Sequence, residues 1–270
     1  MPLPSSTSPL VSIVSYCRNE RMFVRALLEN ARMASDHVVL SVGTHLYTGE
    51  PEDEDALRSL AQEFPDVRIV RYEVSPALLA TPIALHNAAR KAGVRTAHEA
   101  CGGSDFWALL LDGDEVPDGE RLEAWWRATS ARLDPSSSGA LKMANYWYFL
   151  DARLVADVHE DSVLLVHSSL LSDAALEHPR ERDGILIVHS LRPARNVPGL
   201  DGQPMFHHYS WVRQDRASLL RKVANWGHSG DKPWPAMLER LLDAFEAGEW
   251  PERDFVHGYK LSRVESRIVR

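Results

Sequence analysis

Between Val11 and Leu111 short apolar runs alternate with amphipathic stretches, and this alternation narrows the fold more than any other feature of the chain. Val11 to Ser15 reads VSIVS, a β-rich run, and the following ERMFVRALLENARM sets Phe23, Leu27 and Leu28 on one helical stripe. His37 to Val42 is a second strand candidate, and after the acidic loop GEPEDED the segment Ala56 to Phe64 has helical spacing. Val67 to Tyr72 predicts a third strand, Pro82 to Ala92 a helix closed near Gly93, and Phe106 to Leu111 a fourth, almost wholly apolar strand. Such alternation implies parallel strands joined by right-handed crossovers.

Beyond Leu111 the pattern loosens. A Trp-bearing helix (RLEAWWRATSARL) and a linker (DPSSSG) precede strand candidates LKMANYWYFL, SVLLVHSSLL and GILIVHS, so this half reads as more antiparallel. From Asp215 the spacing is helical, with Leu219, Leu220, Val223 and Trp226 on one stripe and Gly227 as its stop. A second amphipathic helix carries Met237, Leu238, Leu241, Leu242 and Phe245 before Gly248. The expected division is a loose tail over 1–10, an α/β domain over 11–212 with halves 11–118 and 119–212, and a helical C-terminal extension over 213–270.

At 270 residues and 44% hydrophobic content the chain suffices for one large α/β core. Thirty basic against 38 acidic side chains give a net charge of −8, which argues against duplex nucleic acid or an anionic membrane as partner and favours a small or neutral one. Cys17 and Cys101 lack zinc or redox spacing, so a reduced, cytoplasmic protein is expected. The opening MPLPSSTSPL lacks the pattern of a signal peptide, and no apolar run approaches the roughly 20 residues of a membrane span. Peripheral membrane contact stays open.

The sharpest local signal is FWALLLDGDEVPDG, where an apolar strand ends abruptly in Asp112, Gly113, Asp114 and Glu115. Ligands of open α/β sheets bind beyond the carboxyl ends of the strands. Asp112 and Asp114, separated by a glycine, can both aim oxygens at one hard cation, Mg²⁺ or Mn²⁺, which would bridge a diphosphate. The competing readings are an acidic surface turn and a haloacid-dehalogenase-like phosphotransferase with Asp112 as nucleophile, since DGDEV fits that string as well. An EF-hand is excluded, because its sixth loop position would be Pro117 where glycine is required.

With these segments in this order, the chain resembles glycosyltransferase family 2 and its GT-A fold. VSIVSYCRNE is similar to the family's opening strand and turn, and the resemblance implies that Tyr16, Arg18, Asn19 and Glu20 contact the nucleotide. HNAARKAG matches a second family stretch at Ala89, Arg90 and Gly93, which implies that Arg90, with Asp112, holds the nucleotide or its phosphates. The sequence departs from the family after the second strand, where Leu40-Ser41-Val42-Gly43-Thr44 offers no acid to the nucleotide.

In the tail, Met205 to Trp211 contains His207 and His208, and the resemblance implies that one of them joins Asp112 and Asp114 on the metal. In an extended segment the two histidines face opposite ways, so only one can do so. Arg213, Arg216, Arg221 and Lys222 follow as a basic lid over the diphosphate or as a solvated helix face. A base for the acceptor hydroxyl would come from Asp161 or Glu160, with Glu177 and Asp183 as further candidates, and the rings of Asn145 to Phe149 suit a sugar acceptor or a plain strand core. The implied partners are a nucleotide-sugar donor and a carbohydrate or other hydroxyl acceptor. The other function classes are the phosphotransferase and a non-catalytic carbohydrate-binding module.

Overall fold

The computed structural model describes residues 8–224 and 233–265, so Trp226 and Gly227 of the expected helix, and most of the expected 1–10 tail, lie outside the described residues. In chain order the elements are β1 (Leu10–Tyr16), α1 (Arg21–Ala34), β2 (His37–Gly43), α2 (Glu54–Glu63), β3 (Arg68–Tyr72), α3 (Pro76–Leu79), α4 (Pro82–Ala100), β4 (Trp107–Asp112), β5 (Glu115–Pro117) and α5 (Gly119–Thr129). They continue with α6 (Pro135–Ser138), β6 (Ala140–Ala156), β7 (Glu160–His167), α7 (Asp173–Leu176), α8 (Glu181–Val188), β8 (Ala194–Val197), β9 (Phe206–Val212), α9 (Arg216–Ala224), α10 (Trp234–Glu246) and β10 (Leu261–Arg263).

One mixed sheet runs β3-β2-β1-β4-β7-β6-β9-β5, with β8 and β10 also pairing to β6. The first four strands of that order are parallel, as the alternation predicts, and β7 joins β4 antiparallel. This is the α/β arrangement that the GT-A resemblance implies, and the C-terminal helix α10 is present. Two hydrophobic layers cover the sheet. One, around Phe23, Leu27, Leu28, Leu109 and Tyr148, seats α1 and α5; the other, around Ile13, Val39, Val94, Leu110 and Ile185, seats α4 and α8. A third cluster packs Trp211 and Trp147 against Leu219, Trp234 and Leu238 of the C-terminal helices, and β10 extends β6 beside them.

Several local expectations are corrected. Gly93 does not close a helix: α4 continues to Ala100, and a Cβ at Gly93 would stand 2.4 Å from Ile13 Cγ2 and 2.6 Å from Ser41 Oγ. The glycine allows α4 to lie against β1 and β2. Gly93→Ala is therefore expected to destabilise by about 1–3 kcal/mol through overpacking, read as a lower denaturation midpoint in urea. An unchanged midpoint would show that the helix can shift at no cost.

GILIVHS is helical rather than extended: Gly184, Ile185 and Leu186 are buried while Ile187 and Val188 are 53% and 41% exposed, which is a helical face and not a strand's alternation. The linker DPSSSG contains a turn of helix, with Asp134 accepting from Ser136 N–H. Leu10, the last residue of the expected tail, is buried as the first residue of β1. The rings of Trp147, Tyr148 and Phe149 are at most 1% exposed, so they are core and offer no acceptor platform.

Candidate functional site

The ends of β1, β2 and β4 and the loops after them enclose a cleft of about 240 Å³. Because Ser15 pairs in register with Asp112, the turn after β1 lies beside the Asp112-Gly113-Asp114 turn. The approach is close: a Cβ on Gly113 would stand 2.9 Å from Glu20 Cβ. Glu20 is itself fixed, its Oε2 accepting from the Cys17 N–H at 3.1 Å and the Cys17 thiol at 2.7 Å. Tyr16, Glu20, Asp112 and Asp114 all line the cleft.

Both aspartates meet cations. Arg90 of α4 donates to Asp112 Oδ1 at 3.3 Å and to Glu181 Oε2 at 3.0 Å. Arg182 of α8 donates to Asp112 Oδ2 at 3.1 Å and to both oxygens of the fully buried Glu115, at 3.0 and 2.6 Å. Asp114 Oδ2 accepts from Lys222 Nζ of α9 at 2.9 Å and from Arg213 Nη2 at 3.1 Å. Burial works against ionising these aspartates, but Arg182 and Arg90 hold Asp112 well below the usual carboxylate range, and Lys222 and Arg213 do the same for Asp114. Burial and the neighbouring Asp114 charge push Glu20 upward.

The two histidines separate as the strand period requires. In β9, His208 pairs with Glu115 of β5 and turns into the cleft, its Nε2 3.9 Å from Asp114 Oδ1 and its Nδ1 3.4 Å from Glu160 Oε2. Burial would lower its pKa, but the hydrogen bond to Glu160 and the charges of Glu115 and Asp114 outweigh it and raise it. His207 points into the core, where its Nδ1 is 2.8 Å from the Tyr148 hydroxyl and its ring stacks on Tyr148 and Tyr209.

Other candidates lie further out. Arg18 pairs with Glu50 and donates to Pro51 O, and Asn19, its neighbour, has a buried Nδ2 without a hydrogen bond; neither lines the cleft. Asp161 accepts from Arg195 at 2.6 and 2.9 Å and sits 3.6 Å from Lys142. Glu177 pairs with Lys91 and Asp183 with Lys142. Of the basic strip, Arg213 and Lys222 reach Asp114, whereas Arg216 pairs with Asp243 and Glu246 of α10 and Arg221 bonds Ser218.

Among the cleft residues that escaped the sequence reading are the charged Glu52, Glu181 and Arg182 and the aromatic Tyr47, Tyr72 and His86. Glu52 comes from the loop GEPEDED, folds back to accept the Arg18 N–H at 3.0 Å, and brings to the cleft an acid that the end of β2 lacks. Glu181 holds a left-handed φ of 50° beside Arg182, an unfavourable conformation at the point where both side chains enter the ion-pair cluster.

The side chains of this turn offer little to the divalent ion that the resemblance implies. Asp112 and Asp114 are already paired with Arg90, Arg182, Arg213 and Lys222, and no group of three acid, histidine or cysteine side chains suited to a metal occurs among the described residues. As folded, the site does not fit a metal. No helix among the described residues is long and apolar enough to cross a membrane.

No family model and no curated protein matches the sequence. Among solved structures, S. aureus TarS in complex with UDP aligns at 11% identity over 88% of this chain and 70% of its own, with a TM-score of 0.45. The mannosyltransferase PcManGT from Pyrobaculum calidifontis, in complex with GDP-Man and Mn²⁺, aligns at 14% identity over 93% and 78%, with a TM-score of 0.40. A glycosyltransferase involved in glycosylation of the major capsid of PBCV-1 aligns at 14% identity over 78% and 98%, with a TM-score of 0.36. At such identities and scores these likenesses to a UDP-bound protein, a mannosyltransferase and a glycosyltransferase do not assign an activity to this chain.

Proposed function

We propose that the cleft binds a nucleotide-sugar and that the protein transfers the sugar to a hydroxyl acceptor. One observation carries this reading: a single cleft at the strand ends is lined both by aromatic and apolar groups, Tyr16, Leu46, Tyr47 and Tyr72, and by charged ones, Asp112, Asp114, Arg182 and Lys222. The first suits a base and ribose and the second a diphosphate. In this reading residues 11–118 supply most of the nucleotide side, 119–212 the acceptor side and 213–270 a closing extension, with Tyr16, Glu20 and Asp112 on the cleft wall and Arg90 behind it holding Asp112.

In the transfer, the bond from the anomeric carbon to the diphosphate oxygen breaks with its electron pair staying on the diphosphate. The acceptor oxygen forms the new bond to that carbon, and its proton passes to a base. His208, facing the cleft with Glu160 hydrogen-bonded behind it, is the proposed proton acceptor in its neutral form, and Glu160 positions it and stabilises the imidazolium that forms when it takes the proton. Asp161, held by Arg195 and Lys142, is not favoured. Nor is a phosphotransferase with Asp112 as nucleophile, since both of its oxygens are engaged by guanidiniums.

Thermal denaturation with UDP, GDP, ADP, CDP, dTDP and their sugars tests the reading. A bound ligand at a hundred times its Kd adds about 2.7 kcal/mol of stability, so at least one of these compounds is expected to raise the midpoint. If none does, the nucleotide-sugar reading is wrong.

A further inference from the structure

On the charged side of the cleft, which Glu20, Glu52 and Glu181 also line, both aspartates of the turn are already met by cations. A divalent ion on Asp112 and Asp114 would displace Arg90, Arg182, Arg213 and Lys222, which stand 2.9–3.3 Å from those carboxylate oxygens. Their side chains are only 2–13% exposed, so the displaced charges would stay buried beside a dication. Around the same turn the charged residues that keep a buried polar atom without a hydrogen bond are guanidiniums, at Arg90 Nη1 and Arg213 Nε. Neither residue lines the cleft, but both leave the surroundings of the turn with N–H donors in excess, a balance that suits an added anion better than an added cation.

Resting on the nucleotide-sugar reading, we propose that this site holds the diphosphate without a divalent cation, Lys222 and Arg182 supplying the positive charge. Both line the cleft, from α9 and α8, and they flank the turn through Asp114 and Asp112 respectively. The aspartates then act as anchors. Asp114 fixes the lysine, and Asp112 with Glu115 fixes the guanidinium, so that the cationic groups are in place before the ligand arrives. Arg213 is the more deeply held partner: it donates to the Tyr209 and Val212 carbonyls and lies over the Phe23 ring, and so it supports the loop that leads into α9.

Calorimetric titration of the metal-stripped full chain with UDP and GDP, in excess EDTA and again with Mn²⁺ or Mg²⁺, tests the proposal. The Kd in EDTA is expected to lie within a few-fold of that with metal. Lys222→Met is expected to weaken binding in EDTA by more than about tenfold, equivalent to about 1.4 kcal/mol, with Lys222→Arg retaining most of it. Binding that EDTA abolishes and Mn²⁺ restores would overturn the proposal and leave the nucleotide-sugar reading standing. Absence of binding with and without metal would overturn both. If Lys222→Met does not fold, the comparison of EDTA with Mn²⁺ on the unaltered chain still decides.

Discussion

Arg182→Met is expected to destabilise the protein by about 3–5 kcal/mol at neutral pH, the usual cost of removing one partner from a buried ion pair. The arginine bridges Asp112 and Glu115, and Glu115 is fully buried with no other cation bonded to it among the described residues. Glu115 Oε2 also accepts the Asp112 N–H at 2.8 Å, so loss of the arginine loosens the turn itself. Methionine keeps most of the apolar stem, which leaves the charge as the principal change.

The effect has a definite pH dependence. Asp112 has a folded pKa depressed below its unfolded value, so its pairing stabilises fully above the unfolded pKa of about 4 and is lost as pH falls through the folded pKa. The gap between the two proteins should thus be widest near neutrality and shrink below about pH 4, where the variant's unpaired carboxylates take up protons first. Guanidinium denaturation of both proteins across that range measures it. A gap below about 1 kcal/mol at neutral pH would mean that solvent replaces the arginine and that the cluster is energetically a surface feature.

Local chemistry made much of this arrangement readable in advance. Strands buried on both faces read as unbroken apolar runs, and Phe23, Leu27 and Leu28 lie on the stripe that α1 buries. The acid-rich end of β4 stood out because charge begins where the apolar run ends, although Asp114 and Glu115 are themselves buried. GILIVHS misled because four apolar residues in a row fit either a strand or one buried turn of helix. Gly93 misled because a glycine that permits close packing looks, in sequence, like one that ends a helix.

What sequence could not supply was the partnership of distant charges. Arg182 lies 70 positions from Asp112, Lys222 lies 108 from Asp114, and Glu52 lies 34 from Arg18. Arg182 and Glu52 sit in polar stretches that read as solvated surface, and Lys222 in a basic pair that reads equally as a lid or as a solvated helix face. The choice between His207 and His208 likewise needed the β5–β9 register, which sets Glu115 opposite His208.

Asp114→Asn separates an anchor from a metal ligand more directly than any other change. The aspartate is 3% exposed and carries both Lys222 and Arg213, so its neutralisation is expected to cost about 3–5 kcal/mol and to lower the melting temperature of the protein alone by on the order of 10 °C. If the cations exist to meet a diphosphate, the loss of the anchoring bond is outweighed in the variant, because Lys222 and Arg213 are left buried without a counter-charge until the ligand supplies one. UDP or GDP, whichever the native chain binds, should then raise the melting temperature of Asp114→Asn in EDTA by more than it raises that of the unaltered protein, because the ligand supplies the missing negative charge. A carboxylate that ligates a metal predicts the reverse, since the amide weakens the cation's hold and the ligand's with it. A smaller shift in the variant than in the unaltered chain would therefore assign Asp114 to a ligand's role and remove the anchor.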